Sequence, residues 1–291
     1  MSLADQFRKT VSGSKDGKPD WVKYIEMGDD EGLFGVDSAV WQVHGCIATL
    51  VGGVRALLLQ ACHPAPLAGV AQHSRYEADP VGRLIGTTRW LTITSFASTQ
   101  GIAKEAERVN AMHSHVTGNY HKADGSESSY RAQDPRFLLW VHCAFTDSFL
   151  KAHLGLGYPI DKGGDAYVAE WSKSAIPLGL THAPQTMAEL EATLDDFRAT
   201  ELGRTELTDG VVKFILKPPF GRGALIFYRL IANAAIATMD PRELKILGLK
   251  PKSKNWLTLA RFALDIFMKM LGSESPSQKV ARERIARINK V

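Results

Sequence analysis

Apolar residues recur at the three- and four-residue spacing of amphipathic helices along most of this 291-residue chain, whereas the two-residue alternation of strands is almost absent. Helices are predicted over residues 38–61, 66–73, 80–98, 102–117, 135–153, 163–175, 186–202, 219–238, 240–247, 254–271 and 277–289. Residues 211–216 are the one stretch that looks strand-like. The pattern therefore predicts an all-α fold.

Local signals set the predicted boundaries. Asp79-Pro80 and Asp134-Pro135 each place an aspartate at an N-cap and a proline at the first helical position. Pro64 ends the first long helix, because the residue before a proline avoids helical backbone angles. The predicted organisation is an irregular arm over 1–36, a polar loop over 118–134 and a single multi-helix domain over 37–291.

The charge distribution changes this picture little. A net charge of +4 is mildly basic and does not indicate a nucleic-acid partner. Basic residues are concentrated over 245–254 and near the C-terminus, where they are Lys279, Arg282, Arg284, Arg287 and Lys290. A solvated helix surface is the ordinary interpretation, and attraction to an anionic membrane surface is the alternative.

The apolar stretches are too short or too charged to span a bilayer. The longest candidate, residues 224–239, contains Arg229, so no membrane-spanning helix is predicted. This segment and the helix over 256–271 are expected to pack internally. Contact with a partner protein or peripheral contact with a membrane is the alternative for both.

Three cysteines, Cys46, Cys62 and Cys143, cannot all pair with one another. The first ten residues also lack the apolar core of a secretory signal peptide. Both features predict a cytoplasmic protein with free thiols. A zinc site built from neighbouring histidine and cysteine residues is disfavoured, because adjacent helical residues diverge by about 100°.

Several catalytic motifs are absent from the sequence. It contains no Glu-x-x-His, His-Glu-x-x-His, Gly-x-Ser-x-Gly or Walker glycine loop, which disfavours a di-iron bundle, a zinc protease, an α/β-hydrolase and a P-loop enzyme. There is also no Cys-x-x-Cys-His, so any haem would be held non-covalently.

His113 is a candidate ligand on the apolar side of its helix. It shares a face with Val109, Met112 and Val116, whereas His115 lies on a more polar side. A core histidine that hydrogen-bonds a neighbour is the alternative interpretation. Two further histidines, His44 and His142, also lie on apolar faces, so predicted burial alone does not select the ligand.

Arg83 and Thr87 lie four residues apart on one helix face, which Trp90 also shares. An arginine in a largely apolar helix needs an anionic partner, because burying an unpaired charge is costly. That partner is a nearby carboxylate, Glu77 or Asp79, or else a haem propionate or an oxygen-derived ligand.

Taken together, these segments resemble a known family. The motifs are HP-x-x-x-x-GVAQHS-x-Y-x-x-DP-x-GR-x-x-x-T, then H-x-x-V-x-G, then DP-x-x-LLWVH. In this order they resemble the MpaB-type oxygenase and latex-clearing-protein superfamily, the catalytic domain of the rubber oxygenases. The resemblance is strong over residues 38–153 and looser to about residue 250.

The resemblance implies a globin-related all-α bundle that binds haem b. His113 matches the position of the proximal iron ligand. Arg83 and Thr87 match distal positions beside the oxygen site and are the catalytic candidates. His142 and His63 match motif positions, which makes them cofactor-binding candidates whose role the resemblance does not assign.

The sequence departs from the rubber oxygenases at two positions. Gly86 stands where they carry a lysine that approaches the iron, and Leu67 stands where a catalytic glutamate is expected. The first hypothesis is a haem-dependent oxygenase, an oxidoreductase, that acts with dioxygen on an apolar, unsaturated or isoprenoid-like substrate. The second is a non-catalytic haem or lipid carrier on the same fold, and a haem-free hydrolase is a third. In the first, the substrate enters between helices lined by Trp90, Phe96, Phe145 or Phe149.

Overall fold

Helices form most of the structure, a computed structural model that describes residues 19–73, 80–219, 221–272 and 274–288. In chain order the elements are α1 (Val22–Glu26), α2 (Ala39–His44), α3 (Thr49–Gln60), α4 (Pro64–His73), α5 (Pro80–Phe96), α6 (Thr99–His113), β1 (Thr117–His121), β2 (Glu127–Arg131), α7 (Pro135–Gly155), α8 (Gly163–Ser172), a 3-10 helix (Lys173–Leu178), α9 (Met187–Thr200), α10 (Glu206–Leu216), α11 (Arg222–Ala237), α12 (Pro241–Leu247), α13 (Asn255–Leu271) and α14 (Pro276–Ile288). The all-α prediction is confirmed.

The long helix predicted over residues 38–61 is wrong in one respect, because it is two helices. Ser38 caps the first by accepting a hydrogen bond from the Trp41 amide, and the helix ends at Gly45. A Cβ atom at Gly45 would lie 2.6 Å from the Trp41 carbonyl and 2.0 Å from Nε2 of Gln278 in α14. The break between the two helices therefore coincides with the close approach of α14, a helix that is distant in the sequence.

Two other predictions are wrong about single segments. Residues 211–216 are not a strand but the end of α10, where Val211 and Ile215 face the core one turn apart. The polar loop over 118–134 contains a hairpin, in which Thr117 pairs with Arg131 and His121 with Glu127. Gly125, with a φ of 83°, supplies the left-handed turn between its strands.

The arm predicted over residues 1–36 is described only from residue 19, and there it contains the short helix α1. Ile25 of α1 and Trp21 beside it are buried in the core. The described part of this segment is therefore integrated with the helical body.

The core is organised around α3 and α7, which share the most extensive helix–helix interface of the described chain. One layer of α2, α5, α8 and α9 packs on one side of this pair, and α4, α10, α11 and α12 pack on the other. Trp140 and Phe197 are fully buried in the core of the first side, and Leu58 is fully buried in the core of the second. None of the helices in the described ranges is both long and apolar enough to cross a membrane.

Candidate functional site

The helix α5 carries a polar row on one face. Thr87 and Trp90 are partly buried, and Thr94, one turn further on, is completely buried. The Thr94 hydroxyl has no hydrogen-bond partner among the described residues. Arg83 begins this row, but its side chain lies outside the described residues, as do Glu77 and Asp79. The row therefore runs from position 83 to a buried hydroxyl that no described residue engages.

His113 is the last residue of α6 and is half-buried. Its Nδ1 atom is shielded from solvent and has no hydrogen-bond partner in the described chain. Burial lowers the pKa of the imidazole, and the positive charge of Arg108 acts in the same direction. The ring is therefore neutral at physiological pH, which is the form that binds a metal ion. His115 lies exposed in the turn after the helix.

His142 lies in α7 and is buried. Its Nε2 atom likewise has no hydrogen-bond partner among described residues, and burial lowers its pKa to about 4. The neighbouring backbone is engaged separately, since the His142 carbonyl oxygen accepts a hydrogen bond from the Thr146 hydroxyl at 2.7 Å. His142 is therefore a second neutral imidazole with an open nitrogen.

These side chains fit the chemistry of a haem site. A neutral imidazole nitrogen is one of the side-chain groups that bind haem iron, and hydrogen-bond donors nearby would favour bound dioxygen or a propionate. His113 and His142 are the imidazole groups available to such a cofactor, and the polar row on α5 carries the hydroxyl groups of Thr87 and Thr94. His153 also keeps a buried Nδ1 without a partner in the described chain, so an open nitrogen does not by itself select the ligand.

His63, in contrast, has both nitrogens engaged by protein. Nδ1 accepts a hydrogen bond from the Ala65 amide at 3.3 Å, so the proton is on Nε2, which donates to Glu201 at 3.1 Å. Arg136 binds the other oxygen of Glu201 at 2.6 Å. The hydrogen bond from His63 and the Arg136 guanidinium lower the pKa of Glu201 against the opposing effect of burial. This network joins the start of α4 to α7 and α9.

A second histidine network lies at the centre of the molecule. The Ser95 hydroxyl donates to the Leu91 carbonyl and so accepts from Nδ1 of His44 at 2.7 Å, while Nε2 of His44 accepts from the Tyr167 hydroxyl at 2.9 Å. Burial, together with the nearby His153, lowers the pKa of His44 to about 3. Every polar atom of the His44 ring is satisfied, so this residue holds α2, α5 and α8 together.

Sequence reasoning did not select a buried ion pair between the two central helices. Arg55 of α3 binds Asp147 of α7 at 2.6 Å and donates to the Ser148 hydroxyl at 2.9 Å. Lys151 lies 3.2 Å from the second oxygen of Asp147. A partial signal was present in the sequence, because an arginine and an aspartate each lie in a mainly apolar stretch of helix and so each needs a partner, although the sequence does not say which one.

The described residues do not bring the predicted site residues into direct contact. No hydrogen bond or ring contact within the described chain links Thr87, His113, His142 and His63 to one another. Nor do three or more His, Cys, Asp or Glu side chains of that part of the chain gather as they would around an ion held by protein alone. A haem iron needs only one protein ligand, so this arrangement is compatible with haem.

A family model described as "ER-bound oxygenase mpaB/B'/Rubber oxygenase, catalytic domain" matches residues 41–272, which covers most of the chain. The chain belongs to this family. The match includes α3 to α13 and every candidate residue named above. Since the family consists of oxygenase catalytic domains, an oxygenase role with dioxygen and a small-molecule substrate follows in general terms.

Neither the curated proteins nor the solved structures that were compared with the chain gave a match.

Among the described residues the space around Gly86 is open, at the position where the resemblance leads us to expect a lysine. A Cβ atom built on Gly86 would have nothing within 4 Å among the described residues. Leu67, where a glutamate is expected from the resemblance, is buried in α4. Neither position therefore supplies the charged side chain that the resemblance to the rubber oxygenases leads us to expect.

Proposed function

We propose that this protein is a haem b-dependent oxygenase in which His113 is the iron ligand. The observation that carries the proposal is a neutral, half-buried imidazole at the end of α6, at the motif position that resembles the proximal ligand, in a chain of an oxygenase family. When bound, haem b would supply the iron at which dioxygen is activated.

The remaining candidates have roles that follow from their chemistry. Arg83 and Thr87 lie on one face of α5 and would donate hydrogen bonds to a propionate or to the oxygen site. His142 would present its open Nε2 towards the cofactor. His63 would act indirectly, since its hydrogen bonds to Glu201 and Ala65 orient the segment that leads into α4. The cofactor would be held without a covalent link, because the sequence contains no Cys-x-x-Cys-His.

An apolar substrate, unsaturated or isoprenoid-like, is the second part of the proposal. Phe96 and Phe149 are buried core residues, with Phe96 in edge contact with Trp41 at 4.9 Å. Trp90 and Phe145 are only partly buried and are the better candidates to line a substrate path. Three unpaired thiols support a reducing, cytoplasmic location.

Absorption spectra of two matched variants test the ligand. We expect His113→Ala to lose the Soret band or to show a strongly shifted one, because the iron loses its protein nitrogen. His115→Ala, two residues away and exposed, should keep the spectrum of the native protein in the ferric, ferrous and carbon-monoxide-bound forms. An unchanged spectrum in His113→Ala would refute the assignment. A native protein that takes up no haemin would refute haem dependence altogether.

A haem or lipid carrier is the second candidate function. It is favoured by Gly86, because the family lysine is replaced by a residue without a side chain. Oxygen uptake with an unsaturated substrate separates the two functions. An oxygenase consumes oxygen in proportion to product, whereas a carrier binds the same compound without consuming oxygen.

A further inference from the structure

An exposed apolar row runs along the outer face of α13. Leu259, Phe262 and Ile266 follow one another at three- and four-residue spacing and are 51%, 66% and 46% exposed. The opposite face of the helix, with Leu264 and Phe267, is buried in the core. The helix is therefore apolar on both faces, and its outer row has no partner in the described chain.

The neighbouring helix α11 extends this row. α11 and α13 pack antiparallel: Phe227 lies against Phe267 with ring centroids 5.1 Å apart, and at the other end Thr238 and Leu257 both approach Gly155. Ile226, next to Phe227 in the chain, is 71% exposed, and the contact between Phe227 and Phe267 brings this end of α11 to the end of α13 that carries Ile266. The two helices thus share an exposed apolar surface, which we call the α11–α13 face.

Cations flank this face. Arg229 lies one turn after Ile226, and together with Lys250 and Lys252 it lines a surface cleft of about 320 Å³. Within the described residues none of these three cations is paired with a carboxylate. The acid of α13, Asp265, is already bound to Arg261 at 2.8 Å. The cleft therefore offers uncompensated positive charge beside exposed apolar side chains.

We propose that the α11–α13 face docks on an anionic lipid bilayer. Phe262 and its apolar neighbours would enter the boundary between headgroups and acyl chains, and the cleft would receive a lipid phosphate. A second copy of the chain is a poorer occupant, because a symmetric pairing would bring the same cations together without acids to offset them.

This proposal rests on the proposed function and adds to it. An apolar substrate partitions into a bilayer, so a docked enzyme would bind its substrate at the membrane surface. The surface itself does not include any of the haem-site candidates. Vesicle binding and haem binding are consequently separate measurements, and the failure of one leaves the other standing.

Co-sedimentation of the full-length, haem-supplied protein with vesicles tests docking. We expect binding to vesicles of phosphatidylcholine mixed with phosphatidylserine, weakened by added salt, and little binding to phosphatidylcholine alone. Phe262→Ser with Ile266→Ser should weaken binding by about tenfold or more. Lys250→Gln with Lys252→Gln should weaken it by roughly 25-fold, about fivefold per lysine.

Ile176→Ser is the matched control. Ile176 is 63% exposed but lies in the 3-10 helix, which packs against α6 and α8 rather than against α11 or α13. Its substitution should leave vesicle binding unchanged. The proposal is overturned if the native protein ignores anionic vesicles, if the Ile176 variant loses as much binding as the Phe262 variant, or if the α11–α13 face proves to mediate dimerisation instead.

Discussion

At the scale of single residues, hydrogen bonding separates the histidines into two groups. His44 and His63 have hydrogen-bond partners at both ring nitrogens, so we assign them a structural role. His113 and His142 each keep a shielded nitrogen without a partner in the described chain. Leaving such an atom unsatisfied costs roughly 1–3 kcal/mol, a cost that a bound cofactor would remove.

The pKa of His142 gives a prediction at this scale. Burial holds it at about 4, below the ordinary value of about 6.5. The unfolded chain then binds a proton between these pH values that the folded chain does not, so the free energy of unfolding falls as pH falls through this window. The slope is about 1.4 kcal/mol per pH unit for one group. His142→Gln should therefore flatten the pH dependence.

Urea unfolding between pH 7 and pH 4 at equal haem content measures this slope. His115→Gln makes the same exchange at an exposed position outside the core and is the matched control. A slope in the His142 variant as steep as that of the native protein would show that His142 does not stay neutral in the fold.

At the scale of elements, two adjacent glycines of α3 have different reasons to be there. A Cβ atom on Gly52 would lie 2.5 Å from a ring carbon of Phe149 and 3.2 Å from its Cα, so α7 approaches too closely for any side chain. A Cβ atom on Gly53 would meet nothing within 4 Å in the described structure. The largest helix interface thus depends on one glycine and not on its neighbour.

Alanine at each position tests this difference. Gly53→Ala should raise the free energy of unfolding by about 0.5–1 kcal/mol, because alanine favours the helix. Gly52→Ala should lower it, since overpacking costs about 1–3 kcal/mol and exceeds that gain. Thermal unfolding of both variants gives the comparison. Equal shifts of the two melting temperatures would show that α3 and α7 are not in close contact at Gly52.

At the scale of the whole molecule, one buried arginine connects three distant parts of the chain. Arg284 of α14 is completely buried and donates to the carbonyl oxygen of Ile25 in α1 and, at 3.1 Å, to that of Phe96 at the end of α5. Burial lowers its pKa, although the charge of Asp30 opposes this. Both α1 and α14 lie outside residues 41–272, the range matched by the family, so this arginine attaches them to the family core.

Removing that side chain should therefore destabilise the molecule as a whole. Arg284→Ala would leave two carbonyl groups without donors and create a cavity, and we expect a loss of roughly 2–4 kcal/mol in the free energy of unfolding. Arg287→Ala, one turn away and exposed, should change it by less than about 0.5 kcal/mol. Chemical denaturation measures both variants. A similar small effect for the two would contradict a tethering role for Arg284.

Much of this architecture could be predicted from the sequence because its signals are local. The Asp134-Pro135 pair opens α7 as predicted, with the Asp134 carboxylate accepting from the Arg136 amide at 2.8 Å. The spacing of apolar residues identified nearly every helix. The ordered motifs indicated the family, which the match over residues 41–272 confirms. A helix cap or an apolar stripe is specified within a few residues, so it can be read without the fold.

The features that only the tertiary structure determines depend on residues that are far apart in the chain. The sequence cannot show that His63 meets Glu201, 138 residues later, or that Arg55 meets Asp147. The break after α2 coincides with a close approach of Gln278 in α14, and the exposed row on α13 differs from a core stripe only in what covers it. Periodicity determines that a helix has an apolar face, but long-range packing determines whether that face is buried, and which polar atoms are left to bind something else.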